Sequence, residues 1–576
     1  MPRPLLKTPP LGDTARAAGR TLHSYQLGLL PVLNRLLGRL RLEQFLRDYL
    51  PPEDRRSRIA PAQALMVLLK NLLLCREPLY GVAQWAARCD PAALGLVPQR
   101  LAALNDDRFG RCLDQLFQGD CSSLALAVAA HVVTEFQVEL DELHNDSTTV
   151  TFSGAYADAA QEEPRRGQTR LAITWGHNKD HRPDLKQLLF ILTVSKDGGV
   201  PVYFQAKSGN LADDQTHLVT WEVLCKLIGG PDFLYVADCK LASTENLAYV
   251  HGHGGRFLTV LPRTRTEDRL FRETLAGGRV RWRWVHDKYD DKGKLVDRYR
   301  VSEPSATSAE GYRLVWYHSS RKAELDALAR ARQLERTLED LSELRQKLTS
   351  PRTRYRQRAK VTEAVEAILQ ARGTAKWIVV VIDEREQEIF HQERPGRPSK
   401  QTKYRREVST RFELRYELDH AALAAEVISD GVFPLITNDR ELSEQAMLLA
   451  YKGQPVIEKR FEQLKTEFEV APVFLKDVSR IQGLLCLYFL VLLVQALLER
   501  ELRRAMAQRQ MESLPLYPEG RACRCPTTPR LIELFENIQR HHLVVGKRPP
   551  VVFTTKLSRL QRRILKLLGM RMVYDN

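Results

Sequence analysis

VELDELHNDSTTVTF, residues 138–152, carries Asp146 after a run of strand-forming residues, and FLYVADCKLAS, residues 233–243, repeats the arrangement with Asp238. A third acid, Glu458, stands on a helical segment, QPVIEKRFEQLK, residues 454–465. Singly, each has an ordinary reading. An aspartate after a strand can cap a following helix, and a glutamate in a first helical turn is favoured by the helix dipole. Together, two acids at the carboxyl ends of apolar runs occupy the place where loops of an α/β sheet build their sites. Three separated carboxylates suit a divalent cation that prefers oxygen ligands, and phosphodiester chemistry is a usual role of such a centre.

The bulk composition agrees. The chain has 576 residues, 87 Lys and Arg against 71 Asp and Glu, a net charge of +16 and 44% hydrophobic residues. That describes a large globular chain with several domains and polyanionic partners, not a membrane protein. The apolar stretch from Leu484 to Leu498 falls short of the roughly 20 residues needed to cross a bilayer and reads as a buried helix. No secretory leader opens the chain, so a cytoplasmic protein is expected. The nine cysteines are scattered, as suits a reducing compartment. Cys523 and Cys525, near His541 and His542, have one residue between them, fewer than zinc cysteines usually need.

The predicted fold is α/β, with a mixed-sheet core split by an insertion. Residues 1–136 are Leu-, Ala- and Arg-rich with helical spacing and read as a helical N-terminal domain, either a packing and dimerisation module or a DNA-end reader. Residues 137–265 carry the strand runs STTVTF, QLLFILTVS, VPVYFQA, DFLYVAD and RFLTVLP, with a helix at HLVTWEVLCKLI. Residues 266–428 form a charged insertion with strands, then a long helical stretch from Ser320 to about Ala371 whose Leu334, Leu338, Leu341 and Leu348 mark one stripe. Residues 429–504 resume the core at GVFPLITND, and 505–576 form a basic C-terminal region. The last 56 residues hold twelve Lys and Arg against three Asp and Glu, either a solvated face or a backbone-contacting one.

At 3.6 residues per turn Lys465 shares a helical face with Glu458, so the acid can hold metal while the lysine holds phosphate. Tyr451 is also seven residues from Glu458, but Gly453 and Pro455 intervene and the helix is expected to start at Pro455. Two rival acids follow strand-like runs, Asp383 in KWIVVVIDE and Asp439 in PLITND; the second is read as a helix cap. The segment RPGRPSKQTKYRR, residues 394–406, reads as an irregular loop, either solvated or entering a minor groove through Arg394 and Arg397.

Tyr451, Gln454, Glu458 and Lys465 are separated by two, three and six residues, and with HNDSTTVTFSG, GHNKDHRPDLKQLLF, SGNLADD and YVADCKLAS they resemble the DDE transposases of bacterial insertion sequences, in the group with a Tyr-Arg-Glu-Lys signature. The resemblance covers about Leu143–Ala242 and Gly431–Arg480, and Gln454 stands where the group has arginine. It implies an RNase H-like core with the first acid on the first strand, the second just after the fourth and the third on a later helix. It further implies two Mg²⁺ ions, with Mn²⁺ able to substitute, held by Asp146, Asp238 and Glu458. The implied activity is cleavage of double-stranded DNA at element ends, followed by joining of the 3′-OH to target DNA. A homodimer holding two DNA ends is expected, with Lys465, Tyr451 and Gln454 on the DNA backbone. Arg182, Asp184 and Gln187 match a motif read as structural support. A DNA-binding derivative without catalysis and a nuclease that does not join strands are the alternatives.

Overall fold

The protein is described by a computed structural model covering residues 15–17, 20–52, 57–180, 182–211, 213–290, 292–304, 306–350, 353–393, 395–398, 402–467, 475–517 and 519–575. The fold is mixed α/β. Two compact units divide it: Met1–Thr259 with Leu448–Asn576, and Val260–Met447.

In the first unit, helices α1 (Pro61–Leu74), α2 (Asp106–Gln118) and α3 (Cys121–Phe136) lead into strand β1 (Glu142–Phe152). β2 (Lys186–Ser195) and β3 (Pro201–Ser208) follow, then helix α4 (His217–Ile228), β4 (Leu234–Ala237), helix α5 (Thr244–Gly252) and β5 (Arg256–Val260). The order across the sheet is β5-β4-β1-β2-β3. β1, β2 and β3 are antiparallel neighbours, whereas β4 runs parallel to β1 and β5 parallel to β4. A tight turn suffices between antiparallel strands. Gly198 and Gly199 make the one between β2 and β3 with φ of +78° and +64°, a region open to glycine at little cost. The parallel pairs need crossovers, which α4 and α5 supply. β2, KQLLFILTVS, is buried at every position but its first, as an apolar run packed on both faces must be.

β1 does not end at Asp146 as the apolar run suggested. STTVTF continues the strand for six more residues because its β-branched side chains pair along β2 from Ser147 opposite Ile191 to Phe152 opposite Lys186. Asp146 lies mid-strand, opposite Leu192.

The apolar stretch around Leu484–Leu498 lies in helix α10 (Val478–Gln508; α6–α9 are placed below). This is the one helix among the described residues long and apolar enough to cross a membrane by itself, yet it is enclosed by α1, α2 and β3. Phe489 stacks on Phe204 with ring centroids 5.6 Å apart. Gly483 lets α10 close on α2: a Cβ there would sit 2.5 Å from the Leu113 carbonyl oxygen.

The N-terminal region holds a strand as well as helices, because Arg20–Gln26 finds its partner more than 500 residues away, at Gln539–Val545. Val551–Thr554 extends that sheet. The basic tail is thus folded, with helix Arg559–Leu567 burying Ile564, Leu565 and Leu567 and the Tyr574 hydroxyl donating to Gly28 O at 2.6 Å.

In the second unit, β6 (Arg283–Tyr289), β7 (Leu295–Ser302) and β8 (Arg313–Ser319) form an antiparallel array that β11 (Val432–Thr437) joins beside β8. The predicted long helical stretch is two helices, α6 (Ser320–Thr349) and α7 (Arg358–Arg372). Pro351 explains the break, since the residue before a proline is pushed out of the helical region. Leu341, Leu344 and Leu348 of α6 are buried with Val361 and Val365 of α7, and Leu334 and Leu338 pack at the margin.

The remaining strands, β9 (Ile378–Gln392) and β10 (Tyr404–Leu418), make one hairpin paired over all fifteen positions. The loop expected over residues 394–406 is shorter than its composition implied, because Tyr404, Arg405 and Arg406 belong to β10. Arg406 pairs with Glu388 across the ladder.

Candidate active site

Asp146 and Asp238 meet through sheet register. β1 and β4 are parallel, and their last paired residues are Asn145 and Ala237. Each aspartate is the next residue along, which sets two neighbouring acids roughly 5 Å apart, the spacing of adjacent strands. Asp238 also caps a short 3₁₀ turn, accepting from Lys240 N at 3.0 Å. Burial pushes the Asp146 carboxyl up to about 6, with the Asp238 charge adding to the shift and Lys179 opposing it. Asp146 Oδ1 accepts from Ser147 N at 2.7 Å and from Lys179 Nζ at 3.2 Å. The pair therefore carries negative charge that one lysine only partly offsets.

Glu458 is exposed on α9 (Pro455–Glu462), whose Pro455 lies at the helix start and whose N-cap is Gln454. Tyr451 ends the preceding helix, α8 (Glu444–Tyr451). Its hydroxyl is pushed up to about 12 by burial, then by Cys239, Asp238 and Glu458. The ring thus lies within electrostatic reach of the second and third acids. Among the described residues no three His, Cys, Asp or Glu side chains converge closely enough to hold an ion.

The α-helical register that placed Lys465 on the face of Glu458 stops short of it. α9 ends at Glu462, and Gln463–Glu467 is π-helical, a wider winding that turns Lys465 away from the seven-residue repeat. Lys465 Nζ instead bonds Asp180 Oδ1 at 2.6 Å.

Two contacts hold α9 against the sheet. Arg460, 2% exposed, donates to Gly198 O and Gly199 O at 2.9 Å each, to Gln463 Oε1 at 2.7 Å and to Glu499 Oε2 at 3.3 Å. It ties α9 to the β2–β3 turn and to α10. Gly453 lies against His144 of β1, where a Cβ would come 2.9 Å from the His144 ring.

Sequence reasoning missed Lys179, Asp180, Arg460 and His144 as parts of this neighbourhood. Lys179 and Asp180 lie inside GHNKDHRPD, but nothing in the spacing showed that the loop folds over β1. Its neighbours are structural: Arg182 pairs with Asp184, and Gln187 Nε2 donates to Gly209 O at 2.9 Å. The rival acids have other occupations. Asp383 is mid-strand rather than at a strand end and pairs with Arg415, while Asp439 accepts from Glu441 N at 2.9 Å and Leu442 N at 3.1 Å. Arg397 is exposed between β9 and β10, and Arg394 lies outside the described residues.

Similarity to known proteins is sparse. A family described as "Domain of unknown function (DUF4277)" matches residues 22–130, the mainly helical N-terminal part. No curated protein matches the chain. A similar solved structure is the cryo-EM structure of a piggyBac transposase synaptic complex with hairpin DNA, at 10% identity and a TM-score of 0.23. The alignment covers 49% of this chain and 62% of that one, so it spans less than two thirds of that protein's length.

Proposed function

We propose that the first unit is an RNase H-like core and that the protein is a metal-dependent enzyme acting on phosphodiesters. More particularly, the motifs around Asp146, Asp238 and Glu458 favour a DDE transposase of the bacterial insertion-sequence group with the Tyr-Arg-Glu-Lys signature, cleaving DNA at element ends and transferring the 3′-OH to target DNA. The observation that carries this reading is that each of two acids directly follows the last paired residue of two adjacent parallel strands, with one of them held protonated to about pH 6 by burial and by the other.

The donor chemistry fits a hard cation, since all three candidates are carboxylates. When bound, two Mg²⁺ ions, or Mn²⁺ in their place, supply Lewis-acid polarisation of the attacking and departing oxygens. Asp146 and Asp238 would hold the cation from the sheet, with Glu458 of α9 the proposed third ligand. The helix is positioned by its own Arg460, bonded to the β2–β3 turn, and by Gly453 against His144. Mutual repulsion of the bare acids would disfavour a closed centre before a cation binds. Tyr451 at the end of α8, Gln454 at the N-cap of α9 and Lys465 beyond its end are the proposed contacts to the DNA backbone. Arg397, exposed between β9 and β10, is a candidate for a minor groove, as is Arg394 by its sequence alone. A homodimer acting on double-stranded DNA in the cytoplasm, at the nucleoid, fits this reading and the net charge of +16.

Gln454, neutral where the signature has arginine, favours a second reading, a DNA-binding derivative without catalysis. A plasmid carrying candidate element ends, incubated with Mg²⁺ and either wild type or Asp146→Asn, separates them. Cleavage by wild type alone, with DNA binding retained by both, supports the enzyme; identical behaviour of the two refutes it. Joined products distinguish a transposase from a nuclease.

A further inference from the structure

Two consecutive residues of one loop each make a charged link across the candidate site. Lys179 extends Nζ to Asp146 Oδ1 at 3.2 Å and to Ser147 O at 2.7 Å, while Asp180 receives Lys465 Nζ at 2.6 Å. The loop does not depend on these links for its shape. Asn178, buried, accepts from Asp180 N at 2.8 Å and Arg182 N at 3.3 Å. Gln187 Nε2 ties His177 O to Gly209 O, and Gly176 packs so closely on Gly209 that a Cβ would lie 1.9 Å from its carbonyl oxygen. A rigid support thus aims a compact ammonium on a flexible stem at the first acid.

We propose that Lys179 is a phosphate-binding residue which Asp146 stores until a divalent cation displaces it. The proposal rests on the reading of Asp146 as a metal ligand. An oxygen already accepting from an ammonium is a poor ligand, so Lys179 and a cation compete for Asp146 Oδ1. Charge drives the exchange onward. Asp146, Asp238 and Lys179 together carry one net negative charge, and a dication converts that to one net positive charge, which attracts a phosphodiester oxygen to the freed ammonium. Lys465, paired with Asp180 on the same loop, lies close enough to share the same strand of DNA.

The full-length protein is titrated with Mn²⁺ in the absence of DNA, by calorimetry, as wild type, Lys179→Ala, Lys179→Gln, Lys179→Arg and Asp146→Asn. Removing the competing ammonium tightens Mn²⁺ binding by about tenfold in the Ala and Gln variants, the worth of a charge-assisted hydrogen bond, and Arg retains the wild-type value. Binding to a short duplex oligonucleotide is then measured against salt. With Mn²⁺ present, the log–log slope of Lys179→Ala is shallower than wild type by about one, and without Mn²⁺ the slopes coincide. Unchanged or weaker Mn²⁺ binding in both neutral variants, or slopes that do not depend on the cation, overturns the proposal. Should Asp146→Asn bind Mn²⁺ as wild type does, the metal reading itself falls. A loss confined to Asp146→Asn, with Lys179→Ala and Lys179→Gln matching wild type, removes Lys179 alone.

Discussion

The carboxyl of Asp146 is raised from 3.8 to about 6 on folding, chiefly by burial, although its side chain remains about 24% exposed. Folding therefore favours its protonated form. The stabilisation is complete below the unfolded value and lost as the pH rises through the folded one, so the ionised acid destabilises the metal-free protein above pH 6. The rise from 3.8 to about 6, at about 1.36 kcal/mol per pH unit, gives about 3 kcal/mol at pH 8. The attraction of Lys179 is already inside that figure. Asp146→Asn, a neutral isostere, is expected to match wild type near pH 4 and to exceed it in stability by about 3 kcal/mol at pH 8. Chemical denaturation of both proteins in EDTA from pH 4 to pH 8 measures this, and the difference between them cancels every other titration. If Asp146 holds Mg²⁺ as proposed, the ion at a hundred times its dissociation constant restores about 2.7 kcal/mol to wild type and nothing to the variant. A difference that stays flat through pH 5–7 would refute the argument that burial and Asp238 act on Asp146.

Arg460→Ala leaves Glu499, which is fully buried, without the first of the charges that hold its carboxyl below the usual range. About 3 kcal/mol of stability is lost in chemical denaturation at neutral pH, the lower end for a broken buried pair because Lys459 and Arg503 remain nearby. That stability is present above the ordinary glutamate pKa and disappears as the pH falls through the folded value. Gly453→Ala pushes the start of α9 off His144 and, if the proposed DNA cleavage is this protein's activity, slows it by about a hundredfold while the melting temperature moves little, the signature of a misplaced group rather than a broken fold. Tyr574→Phe leaves Gly28 O without its donor and costs about 1 kcal/mol in the same denaturation assay. Deleting residues 539–576 removes the strand beside Arg20–Gln26 and is expected to yield insoluble protein, read by the soluble fraction on expression.

Much of the first unit was legible because its signals are local. β2 is an unbroken apolar run, α4 has a helical pattern between two strands, and Pro455 marks the start of α9; each records how a short segment meets its own surroundings. The errors have one origin. STTVTF was read as a strand, but Asp146 was placed at the carboxyl end of a run whereas it lies mid-strand, because pairing with β2 joins both segments into one strand; and Lys465 was assigned to an α-helical face that a π turn interrupts. The hairpin outgrew its expected bounds because cross-strand ion pairs carry it through charged sequence that in isolation reads as loop.

From sequence alone came the acids, their chemical type and the elements bearing them, because strand and helix periodicity depend on residues a few positions apart. Only the folded chain decided that Asp146 and Asp238 are register neighbours, that Lys179 rests on the first of them, and that strands more than 500 residues apart share a sheet. Those relations depend on which distant surfaces pack and which backbone groups pair. No local pattern encodes that choice, since it is made by the free energy of the whole chain.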